Sequence, residues 1–143
     1  MEFYAEKMRG AAYVMTPDFS MYLGMPKEML QWQVYRNRLL GYVYESKGLK
    51  VIPTVSWAGK DSLPYCAKGI KYGSTIAVSN IGARNDNQIS YFMEGLQWVI
   101  DEIEPVQILI SSNKKHKHLF SDDRYFHIES FWDLKRKKLK ENG

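Results

Sequence analysis

The stretch Lys47–Trp57, KGLKVIPTVSW, decides the fold. Leu49–Val55 is a short apolar run rich in β-branched residues, the pattern of a strand buried on both faces. Pro53 has no N–H to donate, which argues for an edge position, a bulge or the end of regular pairing. Thr54, Ser56 and Trp57 form a polar exit at the strand's C-terminal end, where open α/β sheets and barrels usually bind ligands. Ahead of this strand, Lys27–Ser46 reads as a helix stopped by Gly48, with Pro26 suited to its first turn and Glu28 favourable near its positive end. At about 100° per residue, Met29, Trp32, Tyr35, Leu39, Leu40 and Val43 share one stripe, with Arg36 in its middle. That spacing predicts a buried, partnered Arg36 and an exposed Arg38 on the far side.

The same layout repeats along the chain. Glu2–Arg9 has helical spacing and stops at Gly10; Ala11–Met15 reads as a strand ended by Thr16-Pro17-Asp18. Phe19–Met25 is a loop, and Ala58–Gly73 is a polar crossover with one helical turn near Ser62–Lys68. Ser74–Val78 is a third strand, running into Ser79-Asn80-Ile81-Gly82. Asp86 is placed to cap a helix in which Ile89, Phe92, Leu96, Val99 and Ile103 recur at helical spacing. Glu104-Pro105 stops it, and Val106–Ile110 is a fourth strand ending in Ser111-Ser112-Asn113. Ser130 and Asp133 form an S-x-x-D box ahead of a last, basic helix, Phe131–Lys140. This alternation predicts an α/β fold: a mostly parallel four-stranded sheet with flanking helices, as an open sheet or half-barrel, in one domain spanning residues 1–143.

Composition narrows the class. A chain of 143 residues, 45% hydrophobic, suits a domain with a real core and excludes a disordered segment. No apolar run has the length of a membrane span, and the N-terminus lacks a signal-peptide core, so no membrane partner is expected. A single cysteine, Cys66, excludes an internal disulfide and fits the cytoplasm. Residues 1–110 balance 11 Lys/Arg against 11 Asp/Glu, whereas residues 111–143 hold 9 against 5, so the net +4 resides in the C-terminal segment.

Three phrases carry a family resemblance: MTPDFSMYLGMP, YRNRLLGYVYESKGLKVIPTVSW and YGSTIAVSNIGARND. Over roughly Ala11–Ile110 the chain resembles domain of unknown function 4417, a family of phage and mobile-element proteins. The resemblance implies a phage, prophage or plasmid origin and no established activity. It also implies either a short form lacking an N-terminal extension or a fragment. The chain departs from the family pattern at Tyr42-Val43-Tyr44-Glu45, at Lys68 where an acidic residue is usual, and at Ser111-Ser112 in place of Tyr-Gly.

If the strands are parallel, Asp18, Arg36, Ser56, Trp57, Ser79, Asn80 and Ser112 converge on one rim. Arg36 would clamp a phosphate and Trp57 would stack on a base. The plain structural alternative is an Asp18–Arg36 ion pair tying the first loop to the first long helix. No G-x-S-x-G, P-loop, H-E-x-x-H or G-x-G-x-x-G occurs. His116-Lys117-His118 alternates, so two rings could approach one metal from an extended backbone, but Lys114, Lys115 and Lys117 repel a cation. No metal and no cofactor is expected. The basic patches are Lys114, Lys115 and Lys117, then Lys135, Arg136, Lys137, Lys138 and Lys140, interleaved with Phe120, Tyr125, Phe126 and Trp132. The first functional candidate is therefore a non-enzymatic binder of nucleic acid or a nucleotide. The alternatives are an enzyme on a phosphorylated or nucleotide substrate, with Asp18 as base and Arg36 as clamp, and a protein-interaction factor such as an inhibitor of host defence.

Overall fold

Val14–Met15 (β1) and Val51–Ile52 (β2) pair in parallel, with Val14 beside Val51. Thr75–Ser79 (β3), Gln107–Ser111 (β4) and Tyr125–His127 (β5) make a second, three-stranded parallel sheet in that order. The structure, a computed structural model, describes residues 6–141, apart from the side chains of Phe131 and Trp132. Between the strands lie α1 (Lys27–Ser46), α2 (Leu63–Cys66), α3 (Asp86–Ile103) and α4 (Phe131–Glu141), with 3-10 turns at Lys60–Ser62 and Lys114–Leu119. The helix expected at Glu2–Arg9 is present at residues 6–8; residues 2–5 lie outside the described ones.

The α/β class and the parallel pairing agree with the sequence, but the single four-stranded sheet does not. Pro53 is where the ladder breaks. Thr16 N–H still reaches Ile52 O at 3.1 Å, after which side chains replace the ladder. Thr54 N–H donates to Thr16 Oγ1 at 2.8 Å, and Thr54 Oγ1 to Thr16 O at 2.7 Å. Strand β2 then turns to its other neighbour: Ala77 N–H donates to Pro53 O and Val55 N–H to Ala77 O. A lone parallel bridge, Thr54–Ala77, thus joins the two sheets. The fifth strand gave no sequence signal, because three residues preceded by Asp122-Asp123-Arg124 are too short to show a period.

Ile76, Val78, Ile108 and Ile110 pack with Leu96, Val99 and Ile103 of α3 to form the main core, closed by Phe120. Helix α3 buries the stripe its spacing predicts. Its cap is Asn85, not Asp86: Asn85 Oδ1 accepts from Gln88 N–H at 2.9 Å while Gln88 Oε1 returns to the backbone. The Ser130–Asp133 box opens α4 as expected, with Ser130 Oγ donating to Asp133 Oδ2 at 2.7 Å.

Helix α1 has the expected bounds and the opposite orientation. It buries Leu30, Val34, Asn37 and Gly41, while Met29, Trp32, Tyr35 and Leu39 are 46%, 53%, 56% and 42% exposed. The inner face is chosen by fit and hydrogen bonding. A Cβ on Gly41 would meet Thr16 Cγ2 at 3.1 Å, so only a small residue lets α1 approach β1 so closely. Asn37 accepts from Thr16 Oγ1 at 3.0 Å and donates to Pro17 O at 2.7 Å.

Arg38, not Arg36, is the structural arginine. Its guanidinium donates to Lys68 O at 2.8 Å, Cys66 O at 2.6 Å, Thr54 O at 3.2 Å and the Asn37 side chain. Burial holds its pKa down to about 10. The Cys66 thiol beside it is pushed up to about 12, chiefly by burial, and is unreactive at neutral pH. Arg36 lies over Phe19, 4.0 Å from the ring centre, and donates to Gln33. Arg38→Ala strips the carbonyls of Thr54 and Cys66, both buried residues, of a donor and should cost about 2–4 kcal/mol of stability, against about 1 kcal/mol or less for Arg36→Ala. Urea unfolding of both variants checks the order, and equal losses would contradict this packing.

Candidate functional site

Thr16–Asp18 leaves β1, Thr54–Trp57 leaves β2, and Asn80 leaves β3 at the same end of the parallel strands. Asp18, Ser56, Trp57, Ser79 and Asn80 line one cavity of about 560 Å³. Five of the seven rim residues are thus brought together. Arg36 is not among them, because it stacks on Phe19 and bonds Gln33 instead of reaching the rim or pairing with Asp18. Ser112 opens onto a neighbouring groove. The cavity also takes Tyr22 from the first loop and Gln88, Tyr91 and Phe92 from the start of α3. The Asn85-x-x-Gln88 capping pair was the available signal for that helix start.

Asp18 and Asn80 of the rim are each held by a hydrogen bond. Asp18 accepts from the Ser56 hydroxyl and remains exposed. Asn80 is buried, 1% exposed; its Oδ1 accepts from Asn113 N–H at 3.2 Å, and its Nδ2 has no acceptor. Trp57 is less available than a stacking platform would be. It stacks on Phe92 at 5.0 Å, and a Cβ on Gly95 of α3 would overlap its indole nitrogen. Among the described residues no Lys or Arg lines this cavity.

The neighbouring groove, of about 670 Å³, carries the opposite charge. Lys114 and Lys117, from the 3-10 turn after β4, face Arg136, Lys137 and Lys140 of α4 across it, with Ser112, Asn113 and His127 also in its wall. The α4 residues recur at i, i+1 and i+4, so Lys135 and Lys138 fall on another face of the helix. Lys115 pairs with Asp86 at 3.3 Å outside the groove. Glu129 and Asp133 also line it, paired with Lys137 and with Arg136 at 3.4 Å respectively. The Ser130 hydroxyl holds the Asp133 carboxyl below the usual carboxylate range, and the bond to Glu129 raises the Lys137 ammonium.

Two sequence readings of this segment change. His116-Lys117-His118 lies in the 3-10 turn, with His116 buried and His118 exposed, so the rings do not converge. Among the described residues no cluster of three or more His, Cys, Asp or Glu could hold a metal. Of the interleaved aromatics, Phe120 is core and Tyr125 packs against it at 5.3 Å, leaving Phe126 exposed; the side chain of Trp132 lies outside the described residues.

Fold and site together define an α/β protein with a ligand-sized cavity at its parallel strand ends and a basic groove beside it. Residues 1–132 match the family described as Domain of unknown function (DUF4417), and the chain belongs to that family. It is 36% identical to the Gene 1 protein of Mycobacterium phage L5 over 138 residues, covering 96% of this chain and 59% of that protein. To the Gene 1 protein of Mycobacterium phage D29 it is 31% identical over 134 residues, covering 93% and 50%. The chain thus spans between half and three-fifths of the length of these curated phage relatives. No solved structure matches it. Among the described residues no helix is long and apolar enough to cross a membrane.

The closeness of Trp57 to Gly95 gives a direct check on the cavity wall. Gly95→Ala adds a methyl group where the indole lies, and should destabilise by about 1–3 kcal/mol despite the better helix propensity of alanine. A thermal melt followed by tryptophan fluorescence reads both the destabilisation and the indole displacement; an unchanged melt would contradict this packing.

Proposed function

We propose that the chain is a non-enzymatic nucleic-acid binder, acting as one α/β domain in the host cytoplasm, with the groove between β4 and α4 receiving the phosphates. The observation that carries this is convergence: cations about twenty residues apart in sequence, Lys114 and Lys117 against Arg136, Lys137 and Lys140, line one groove. Several phosphates bound at once release counterions and give an affinity that single surface lysines do not provide. The resident Glu129 and Asp133 partners are exposed ion pairs, worth little, so exchanging them for phosphates is inexpensive. Ser112 and Asn113 in the wall offer neutral hydrogen bonds to phosphate or sugar oxygens.

The test is the salt dependence of binding to a single-stranded oligonucleotide. Replacing Lys114, Lys117 and Lys140 together by Ala should weaken binding and flatten the log–log salt slope by about 0.7 for each phosphate no longer neutralised. The melting temperature should stay close to wild type, because solvated lysines contribute little to folding. Lys138→Ala, outside the groove, should change the slope far less. A wild type that binds no oligonucleotide at low salt would refute the proposal.

A second reading, a protein-interaction factor, is favoured by the outward stripe of α1. Met29, Trp32, Tyr35, Leu39 and Tyr42 are all exposed, and Trp32 stacks on Tyr35 at 5.6 Å. Contiguous apolar surface of this kind marks contact sites more often than scattered single residues do. Trp32→Asp should then abolish capture of a specific host protein by the phage chain without lowering its melting temperature, while the lysine variants retain it. Equal capture by wild type and Trp32→Asp would exclude the stripe.

A further inference from the structure

We infer that the 560 Å³ strand-end cavity is a separate site for a planar nitrogen heterocycle of the nucleobase type, one that offers N–H donors to Asp18 and an acceptor to Asn80. Its size falls within the range of small-molecule sites. Its charge disfavours the phosphate expected from the sequence, since among the described residues the wall holds a carboxylate and no Lys or Arg. What it does hold is complementary to a base edge. The Asp18 carboxylate accepts only, and the Ser56 hydroxyl fixes it in place.

Asn80 supplies the second, independent sign of a ligand. Its Oδ1 is committed to Asn113 N–H, which leaves Nδ2 as a donor, and that donor is buried without an acceptor. Buried amide groups are nearly always satisfied, so an unpaired one on a residue that lines a cavity points to a ligand atom that completes it. The Trp57–Phe92 stack and Tyr91 give the wall an aromatic side, beside the polar Ser20, Ser79 and Gln88. A ring with amino or imino N–H groups beside a carbonyl or ring nitrogen, as in guanine, cytosine or adenine, meets these demands. A free nucleoside and a base unstacked from a strand in the neighbouring groove present the same chemistry. The site stands independently of the groove reading.

The experiment titrates the protein with guanosine, cytidine and adenosine, and with their 5′-monophosphates, by calorimetry. At least one of these nucleosides should bind saturably, with affinity changed less than about threefold by the phosphate, and Asp18→Asn should weaken it by about tenfold or more. Asp18 is exposed, so this variant should fold; Asn80→Ala, checked by its melt, should weaken binding in parallel. The alanine variant of Lys114, Lys117 and Lys140 should bind the nucleoside as wild type does, which separates this site from the groove. If a strand base is the natural occupant, Asp18→Asn also weakens oligonucleotide binding; if a free nucleoside is, only nucleoside binding falls. No saturable nucleoside binding at millimolar concentration, a phosphate that strengthens binding tenfold, or an unaffected Asp18→Asn would each overturn the inference.

Discussion

A guanidinium buried against backbone carbonyls is the interaction on which the other parts of this structure depend. Arg38 reaches from the middle of α1 to the carbonyls of Thr54, Cys66 and Lys68, and so ties the first long helix to the exit of β2 and to the end of α2. Those carbonyls lie where regular pairing has ended, and buried acceptors without a donor are costly. Arg38 supplies the donors that no ladder or helix provides. Among the described residues no carboxylate pairs with it, and burial lowers its pKa to about 10.

The same region shows why the sheet divides. Pro53 cannot donate, so Thr16 and Thr54 complete the pairing through their hydroxyls while the strand shifts its backbone bonds to Ala77. That shift carries Ser56 and Trp57 to the strand-end cavity beside Ser79 and Asn80. The loop Asn80–Ala83 is held by Asn113, whose amide donates to Ala83 O at 3.1 Å and whose N–H binds Asn80. One short loop thereby separates an acidic, aromatic cavity from a basic groove. The cavity and the groove thus differ in charge although they are close in the fold.

Helix α1 departs from the usual rule that the apolar face turns inward. Its inner face works through the small Gly41, the bonded Asn37 and the donors of Arg38, with Leu30 and Val34 supplying apolar burial. Its outer face keeps Trp32, Tyr35 and Leu39 in solvent.

From the sequence alone, the bounds of α1, the positions of four strands to within a few residues, their parallel pairing and the buried stripe of α3 were all legible. These depend on local signals: β-branched runs, helical periodicity, Gly and Pro stops, and capping residues. Five of the rim residues were legible too, because the C-terminal ends of parallel strands must lie together. Which arginine is buried was not. A count of apolar positions favours the face of Arg36, but only the approach of β1 and β2 shows that Gly41 and Asn37 must face inward, and Arg38 with them. The division of the basic run was equally hidden, since Lys114 and Lys117 meet Arg136, Lys137 and Lys140 only across the turn and strand that separate them. Local chemistry determined the elements of this phage-family protein; close approach between distant segments decided which of their faces became core, cavity and groove.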